Sequence, residues 1–270
     1  MAPSTITGLL RCSVCAFQTA NLNLSTEELS SLYGEKYFNG DEYANYLADR
    51  RVIEKSFQDR LKTLLKYTLE SQDKYLFEVG CAYGLFLNLA RTHFRHVSGI
   101  DISSAAVNFA QSDLHLDVHC GDLLSFNLPE CIDVACLWDT IEHLSQPHLY
   151  IERLASVMPK GGIIAITTGD IGSMVARWRG KKWRQIHPPT HLQYFSKKNL
   201  SMLLERCGFV VRYAGSDGMY RSVESMSYII FALKRRQAKI HDTLKRLRIL
   251  NFDLYLNLRD IMFLIAEKKG

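Results

Sequence analysis

The stretch Tyr75 to Gly84, YLFEVGCAYG, constrains the fold of this chain more than any other. An apolar, β-rich run from Tyr75 to Val79 stops at Gly80, and Gly84 opens the apolar stretch Leu85 to Ala90. The order predicts strand, tight turn and helix, with glycines that let the main chain approach a ligand closely. A second β-rich run, His96 to Ile100, delivers Asp101 about 20 residues later, the spacing at which a βαβ unit sets an acid beside its glycine turn. One carboxylate there can accept both hydroxyls of a ribose. The turn is G-x-x-x-G, without the glycine spacing of a pyrophosphate loop, and Glu78 stands where it would repel a phosphate. A nucleoside without phosphates fits better.

Further acids follow at strand ends. Leu116 to Cys120 predicts a short third strand that runs into Gly121, Asp122 and Leu123. The fourth, Ile132 to Leu137, is nearly all apolar, as expected of a strand covered by helices on both faces. It delivers WDTIEH, so Trp138 and Asp139 fall at the carboxyl end of a central strand, where open α/β sheets bind ligands. Ahead of the first strand, Val52, Ile53, Phe57, Leu61, Leu64 and Leu65 recur at helical spacing with charges opposite.

E-x-G-C-x-x-G, an acid ending the next strand and W-D-x-I-E-H with a following Pro together resemble the class I S-adenosylmethionine-dependent methyltransferases, in their small-molecule and sugar branch. The resemblance covers most of the chain. It implies a doubly wound α/β fold, a seven-stranded Rossmann-like sheet with its last strand antiparallel, and S-adenosyl-L-methionine as cofactor. Glu78 would then face the methionine amine, and Gly80, Cys81, Ala82, Tyr83 and Gly84 would wrap the amino-acid moiety. Asp101 and Ile102 would meet the ribose. Asp122 would hold the adenine amino group with Leu123 as an apolar wall, or else cap its local backbone as turn aspartates do. Trp138 completes the set, and Tyr37 of GEKYFNG closes over the cofactor or simply packs.

The chain of 270 residues fits one large domain with appendages. Residues 1–48 read as an N-terminal appendage with a helix starting near Ser25, and 49–270 as the methyltransferase domain. Within it, 170–196 is polar, basic and aromatic, as a lid over the substrate would be, and 219–259 reads as a basic helical segment after a turn at Gly215 to Gly218. Asp260 to Glu267 is the last strand. Seven cysteines offer only one close pair, Cys12 and Cys15, so a disulfide framework is not expected. R-C-S-V-C-A is half of a zinc ribbon; the second knuckle is missing, and no bound metal is expected. The family resemblance makes this pair a remnant. No apolar run is long enough to span a bilayer and no secretory signal opens the chain, which predicts a cytoplasmic protein.

A hydroxyl acceptor must lose its proton as it takes the methyl, and histidine is the natural base near neutral pH. His191 in HPPTHLQYFS is the first candidate and His143 the second; Asp139 is the alternative, and His187 lies nearby. The resemblance points to O-methylation of a sugar, a glycan precursor or a similar small molecule. A membrane lipid or quinone precursor is the second reading, because Lys234 to Arg248 is basic and amphipathic and would allow peripheral membrane contact. A catalytically silent cofactor-binding module is the third. Nucleic acid is not an expected partner: net charge is only +5, and no recognised nucleic-acid motif is intact.

Overall fold

A computed structural model describes residues 1–4, 6, 8–22, 46–228, 230–231, 238–247 and 249–270. Tyr37, the helix expected near Ser25 and the basic residues Lys234, Arg235, Arg236 and Arg248 lie outside the described residues. The first three strands, β1 (Ala2–Pro3), β2 (Leu9–Arg11) and β3 (Gln18–Ala20), form a small antiparallel sheet. Helix α1 (Arg50–Leu65) follows, burying Val52, Leu61 and Leu64 along the stripe its periodicity foretells.

The main sheet alternates strands and helices: β4 (Tyr75–Val79), α2 (Leu85–Ala90), β5 (His96–Asp101), α3 (Ser104–Ser112), β6 (Asp117–Cys120), β7 (Val134–Trp138), α4 (Pro147–Val157) and β8 (Ile163–Gly169). After α5 (Met174–Arg179), β9 (Gln193–Tyr194) and α6 (Lys197–Arg206), it closes with β10 (Phe209–Ser222), the helices α7 (Val223–Ser227) and α8 (Ala238–Arg246), and β11 (Asp253–Lys268). The strand order is β10-β11-β8-β7-β4-β5-β6. The pairs from β8 through β6 are parallel, and β11 runs antiparallel to both its neighbours, as the last strand was expected to. Both faces are covered. Phe77, Val79, Leu137 and Ile164 join one buried cluster, while Leu76, Val97, Val134 and Ala165 join another. This explains why β7 reads as an unbroken apolar run, and β4 as one interrupted only by Glu78, rather than as alternating ones.

Two segments differ from the sequence reading. The expected turn at Gly215 to Gly218 is strand, and residues 219–222 and 253–259, expected to be helical, extend β10 and β11 into a two-stranded arm beyond the sheet. Among the described residues, helical structure in that segment lies in α7, in α8 and at Tyr228, Ile230 and Phe231. The glycines are there for close approach: a Cβ on Gly218 would fall 2.6 Å from the Tyr255 ring, and the Tyr213 ring occupies the same space at Gly215. The second segment is 170–196. Its Ile171, Ala176, Trp183 and Tyr194 bury themselves with Leu9 and Ala20 of the N-terminal hairpin, and β9 pairs with β3. Buried Trp183 donates to Asp260 at 2.8 Å, and Arg184 pairs with the same carboxylate at 2.9 Å. Trp183, Arg184 and Tyr194 of this segment therefore serve packing and an ion pair at the base of β11, while Arg177, Trp178, Arg179, Lys181 and Lys182 stay exposed.

Cys12 and Cys15 sit in the turn between β2 and β3, where the main-chain groups of Cys15 and Val14 lower the Cys12 thiol below its ordinary range. Among the described residues no third ligand-type side chain groups with them. Lys239, Lys245 and Arg246 lie on α8, and Lys245 pairs with Glu224 of α7 at 2.6 Å. No helix among the described residues is long and apolar enough to cross a membrane.

Candidate active site

A cavity of about 500 Å³ opens at the carboxyl ends of β4, β5 and β7, roofed by α1 and by the arm of β10 with α7. Its inner half is built by the glycine turn. Gly80 adopts φ +74° and Gly84 φ +71°, and a Cβ on Gly80 would lie 2.5 Å from Thr140 Oγ1. The Gly80 and Cys81 amides donate to the Ile100 carbonyl at 2.8 and 3.2 Å, locking the turn to β5. Asp101 locks it again. Its Oδ2 accepts from the Ala82 amide and its Oδ1 from the Ser103 amide, each at 2.8 Å. Each carboxylate oxygen keeps a second lone pair for a ligand hydroxyl. Burial raises Asp101 above its ordinary range, opposed by those amides.

Glu78 lines the cavity at the end of β4 and is 2 % exposed, and its Oε2 has no hydrogen-bond partner among the described residues. Burial pushes its carboxyl well up, Asp101 adds to this, and Arg60 opposes it. A buried carboxylate oxygen without a donor is costly unless a ligand meets it. A cationic amine beside the Gly80 cradle does so, and the donor set fits the methionine end of S-adenosylmethionine. Asp122 and Leu123 also line the cavity. Asp122 accepts from the Leu124 amide and from Tyr150 Oη, each at 2.7 Å, so the local capping expected of a turn aspartate is present alongside its position on the wall. Cys81, Ala82, the half-exposed Ile102 and Trp138 complete that side. Tyr83 turns away, stacked on Tyr46 at 5.3 Å in a separate apolar cluster, and Gly84 starts α2 without reaching the wall.

At the outer half, Asp139 holds φ +50°, a left-handed backbone that costs an ordinary residue about 1–2 kcal/mol. Thr167 and Arg60 hold it there. The Thr167 hydroxyl donates to Asp139 Oδ1 at 3.1 Å, and Arg60 Nη1 pairs with Oδ2 at 2.8 Å. Arg60 Nε meets Asp217 Oδ2 at 2.7 Å, so one buried guanidinium joins α1, β7 and β10. Burial works against its charge, but the two carboxylates outweigh that and hold it protonated above its ordinary range. Sequence reasoning missed Arg60 because it sits on the buried stripe of an amphipathic helix. Its only signal was a charge on the apolar face.

The three histidines come together. His143 lines the cavity, with its Nδ1 2.8 Å from the Thr190 carbonyl. His191 is buried behind it, edge-on at a ring separation of 4.7 Å, with Nδ1 3.0 Å from the Gln185 carbonyl. His187 packs on His191 at 3.9 Å. Burial lowers His143 to about 4, while the Thr190 carbonyl works the other way. His191, the first candidate base, is also pushed down by burial and then by its two neighbours, and it is not on the cavity wall. Among the described residues none from 170–196 reaches the wall; the outer half combines Val52, Ile53, Phe57, Met219, Tyr220 and Met226 with the polar Asp49, Ser56, Arg221, Ser222 and Ser225.

A mixed seven-stranded sheet with its ligand cradle at the first glycine turn is the architecture of an S-adenosylmethionine-dependent methyltransferase. The methyltransferase-domain family matches residues 46–214, more than half of the chain, and the chain belongs to that family. It is 23% identical over 176 residues to the ubiquinone biosynthesis O-methyltransferase of Nitrobacter winogradskyi, covering 58% of this chain and 67% of that one. Among solved structures it resembles magnesium protoporphyrin IX methyltransferase from Synechocystis with bound S-adenosylhomocysteine, at TM-score 0.58 and 15% identity over 91% of this chain and all (100%) of that one. A S-adenosylmethionine-dependent methyltransferase from Archaeoglobus fulgidus is similar at TM-score 0.55 and 19% identity, covering 87% of this chain and 97% of that one. The chain is accordingly an enzyme of this class with S-adenosylmethionine as cofactor.

Proposed function

We propose that the protein O-methylates a hydroxyl on an apolar small molecule, of the ring-bearing or prenylated phenol type, rather than on a phosphate-linked sugar. The observation that carries this reading is the composition of the outer cavity. Val52, Ile53, Phe57, Met219 and Met226 give it apolar walls beside the polar Ser56, Ser222 and Ser225 and the exposed Arg221, and the basic residues 177–184 lie elsewhere. Arg60 is already held by two carboxylates. The ubiquinone O-methyltransferase names of the curated relatives support the same choice.

S-adenosylmethionine supplies a methyl already activated on a sulfonium. In this reading Glu78 receives the cofactor amine, the Gly80 turn wraps its amino-acid end, Asp101 accepts from the ribose and Asp122 with Leu123 borders the adenine. The apolar outer wall excludes water and orients the acceptor for in-line attack. The acceptor oxygen meets the corner formed by Asp139 and His143, where its proton leaves as the oxygen–carbon bond forms and the carbon–sulfur bond breaks.

Glu78→Gln is expected to weaken binding of S-adenosylhomocysteine about ten- to a hundredfold, the value of a charge-assisted hydrogen bond. Binding of 5′-methylthioadenosine, which lacks the amine, should stay within about twofold, and the melting temperature should hold or rise because a buried charge is removed. Calorimetry on both ligands checks this; equal losses for the two would remove Glu78 from the amine. The acceptor is tested by incubating the enzyme and labelled donor with prenylated catechols and phenols on one side and nucleotide sugars and glycan precursors on the other. Label in the phenolic set is the expected result, and label confined to the saccharides would restore the glycan reading.

A further inference from the structure

We propose that Cys12 and Cys15 form a reversible dithiol site, in which Cys12 attacks low-molecular-weight disulfides and Cys15 resolves the product into an intrachain disulfide. The two residues occupy the turn between β2 and β3. The Ala16 amide donates to the Cys12 carbonyl at 3.1 Å and the Cys12 amide to the Phe17 carbonyl at 2.8 Å, so the chain closes one tight turn here. The first and fourth residues of such a turn lie within about 7 Å at Cα, and a disulfide needs about 4.4–6.8 Å. The Cys15 thiol already meets the Cys12 sulfur. A bridge therefore needs little movement of the main chain.

The surroundings of the two sulfurs set their order of reaction. The Val14 and Cys15 amides and the Cys15 thiol all donate to the Cys12 sulfur, an arrangement that favours a thiolate there. Both residues are partly exposed, and Val14 at the tip of the turn is 90 % exposed, so among the described residues nothing bars a small disulfide from the pair. Completion of a four-ligand metal site is not open to them within the chain's first 80 residues, which hold no other cysteine and no histidine. Among the described residues no third ligand-type side chain groups with them.

The exchange proceeds in two steps. The Cys12 thiolate attacks one sulfur of a disulfide such as oxidised glutathione, forming a mixed disulfide and releasing one glutathione thiolate. Cys15 then loses its proton to water and attacks the Cys12 sulfur, and the second glutathione leaves. Two protein thiols are oxidised by two electrons, and one glutathione disulfide is reduced to two thiols. The hairpin that carries the pair backs the histidine loop: Phe17 packs on Phe195 at 5.0 Å, β3 pairs with β9, and the Ala20 amide donates to the Leu192 carbonyl at 2.7 Å.

The test uses the full chain as the Cys120→Ser/Cys131→Ser variant, which removes the two exposed thiols elsewhere. This parent is equilibrated with reduced and oxidised glutathione, with and without chelator, then quenched in acid, alkylated and mapped by peptide mass. The expected product is a bridge between Cys12 and Cys15. Diluting total glutathione tenfold at a fixed ratio of reduced to oxidised should raise the oxidised-to-reduced ratio of the pair about tenfold, because each bridge releases two thiols. A mixed disulfide would not respond to the dilution. Cys15→Ser in this background should trap glutathione on Cys12, and Cys12→Ser should react at Cys15 at least about fivefold more slowly. A pair that stays reduced, a product that ignores the dilution, or equal trapping rates in the two variants would overturn the proposal. So would a pair that reacts only after chelator is added, the mark of a bound metal.

Discussion

Gly80→Ala is expected to cost the enzyme between roughly 1.5 and 3.5 orders of magnitude in cofactor affinity. Two effects add. The left-handed φ of +74° disfavours a residue with a Cβ by about 1–2 kcal/mol, and the new methyl would fall 2.5 Å from Thr140 Oγ1 and 2.6 Å from its Cγ2, an overpacking worth about 1–3 kcal/mol. The turn cannot give way toward β5, because the Gly80 and Cys81 amides are tied to Ile100 and the Ala82 amide to Asp101. It must instead shift into the cavity proposed to hold the cofactor. Thr140→Ala removes the two nearest atoms, so the double variant Gly80→Ala/Thr140→Ala should regain the packing share of the loss but not the backbone share. Calorimetry with S-adenosylhomocysteine reads the recovery. If the single variant binds as the parent does, the turn is not the cradle.

That turn was legible because its evidence is local. Glycine spacing, the break in the apolar run at Val79 and the distance to Asp101 all lie in contiguous sequence, and the fold follows them. The positions of Asp122, Trp138 and Asp139 were legible for the same reason: Trp138 closes β7, Asp139 follows it, and Asp122 lies two residues past β6. The outer half was not. Arg60 is defined by Asp139 and Asp217, far along the chain, and Met219 and Met226 reach the cavity only because β10 continues past Gly218. Glycine and serine at 215–218 have the composition of a turn; what keeps them extended is the pairing with β11 and the rings of Tyr213 and Tyr255 lying over them. In 170–196, nothing in a run of Trp, Arg and Lys announces that Trp183 and Arg184 meet a buried aspartate at position 260.

Arg60→Met should be the most destabilising single change in the site, and the reason is the asymmetry of its two partners. Breaking a buried pair strands the remaining charge, at about 3–5 kcal/mol, whereas an exposed pair is worth about 1 kcal/mol or less. The Asp217 side chain is 10 % exposed and Asp139 37 %, so most of the loss belongs to Asp217, with water screening Asp139. Arg60→Met/Asp217→Asn is therefore expected to recover the larger part of the stability, and Arg60→Met/Asp139→Asn the smaller. Arg60→Lys should not substitute for arginine, because Nε and Nη1 serve the two carboxylates separately and one ammonium does not span both. The pH dependence carries a sign. Burial raises the Asp217 carboxyl and Arg60 opposes that rise, so without Arg60 the folded state holds its proton to still higher pH. A group whose folded value exceeds its unfolded one binds more protons in the native state, and stability then falls as pH rises. The gap in melting temperature between Arg60→Met and the parent should accordingly be widest near neutral pH and narrow on acidification as Asp217 takes up its proton. In Arg60→Met/Asp217→Asn the narrowing should be largely gone; a gap independent of pH in the single variant would mean that the guanidinium contributes by packing against Phe57 and Trp138 rather than by charge.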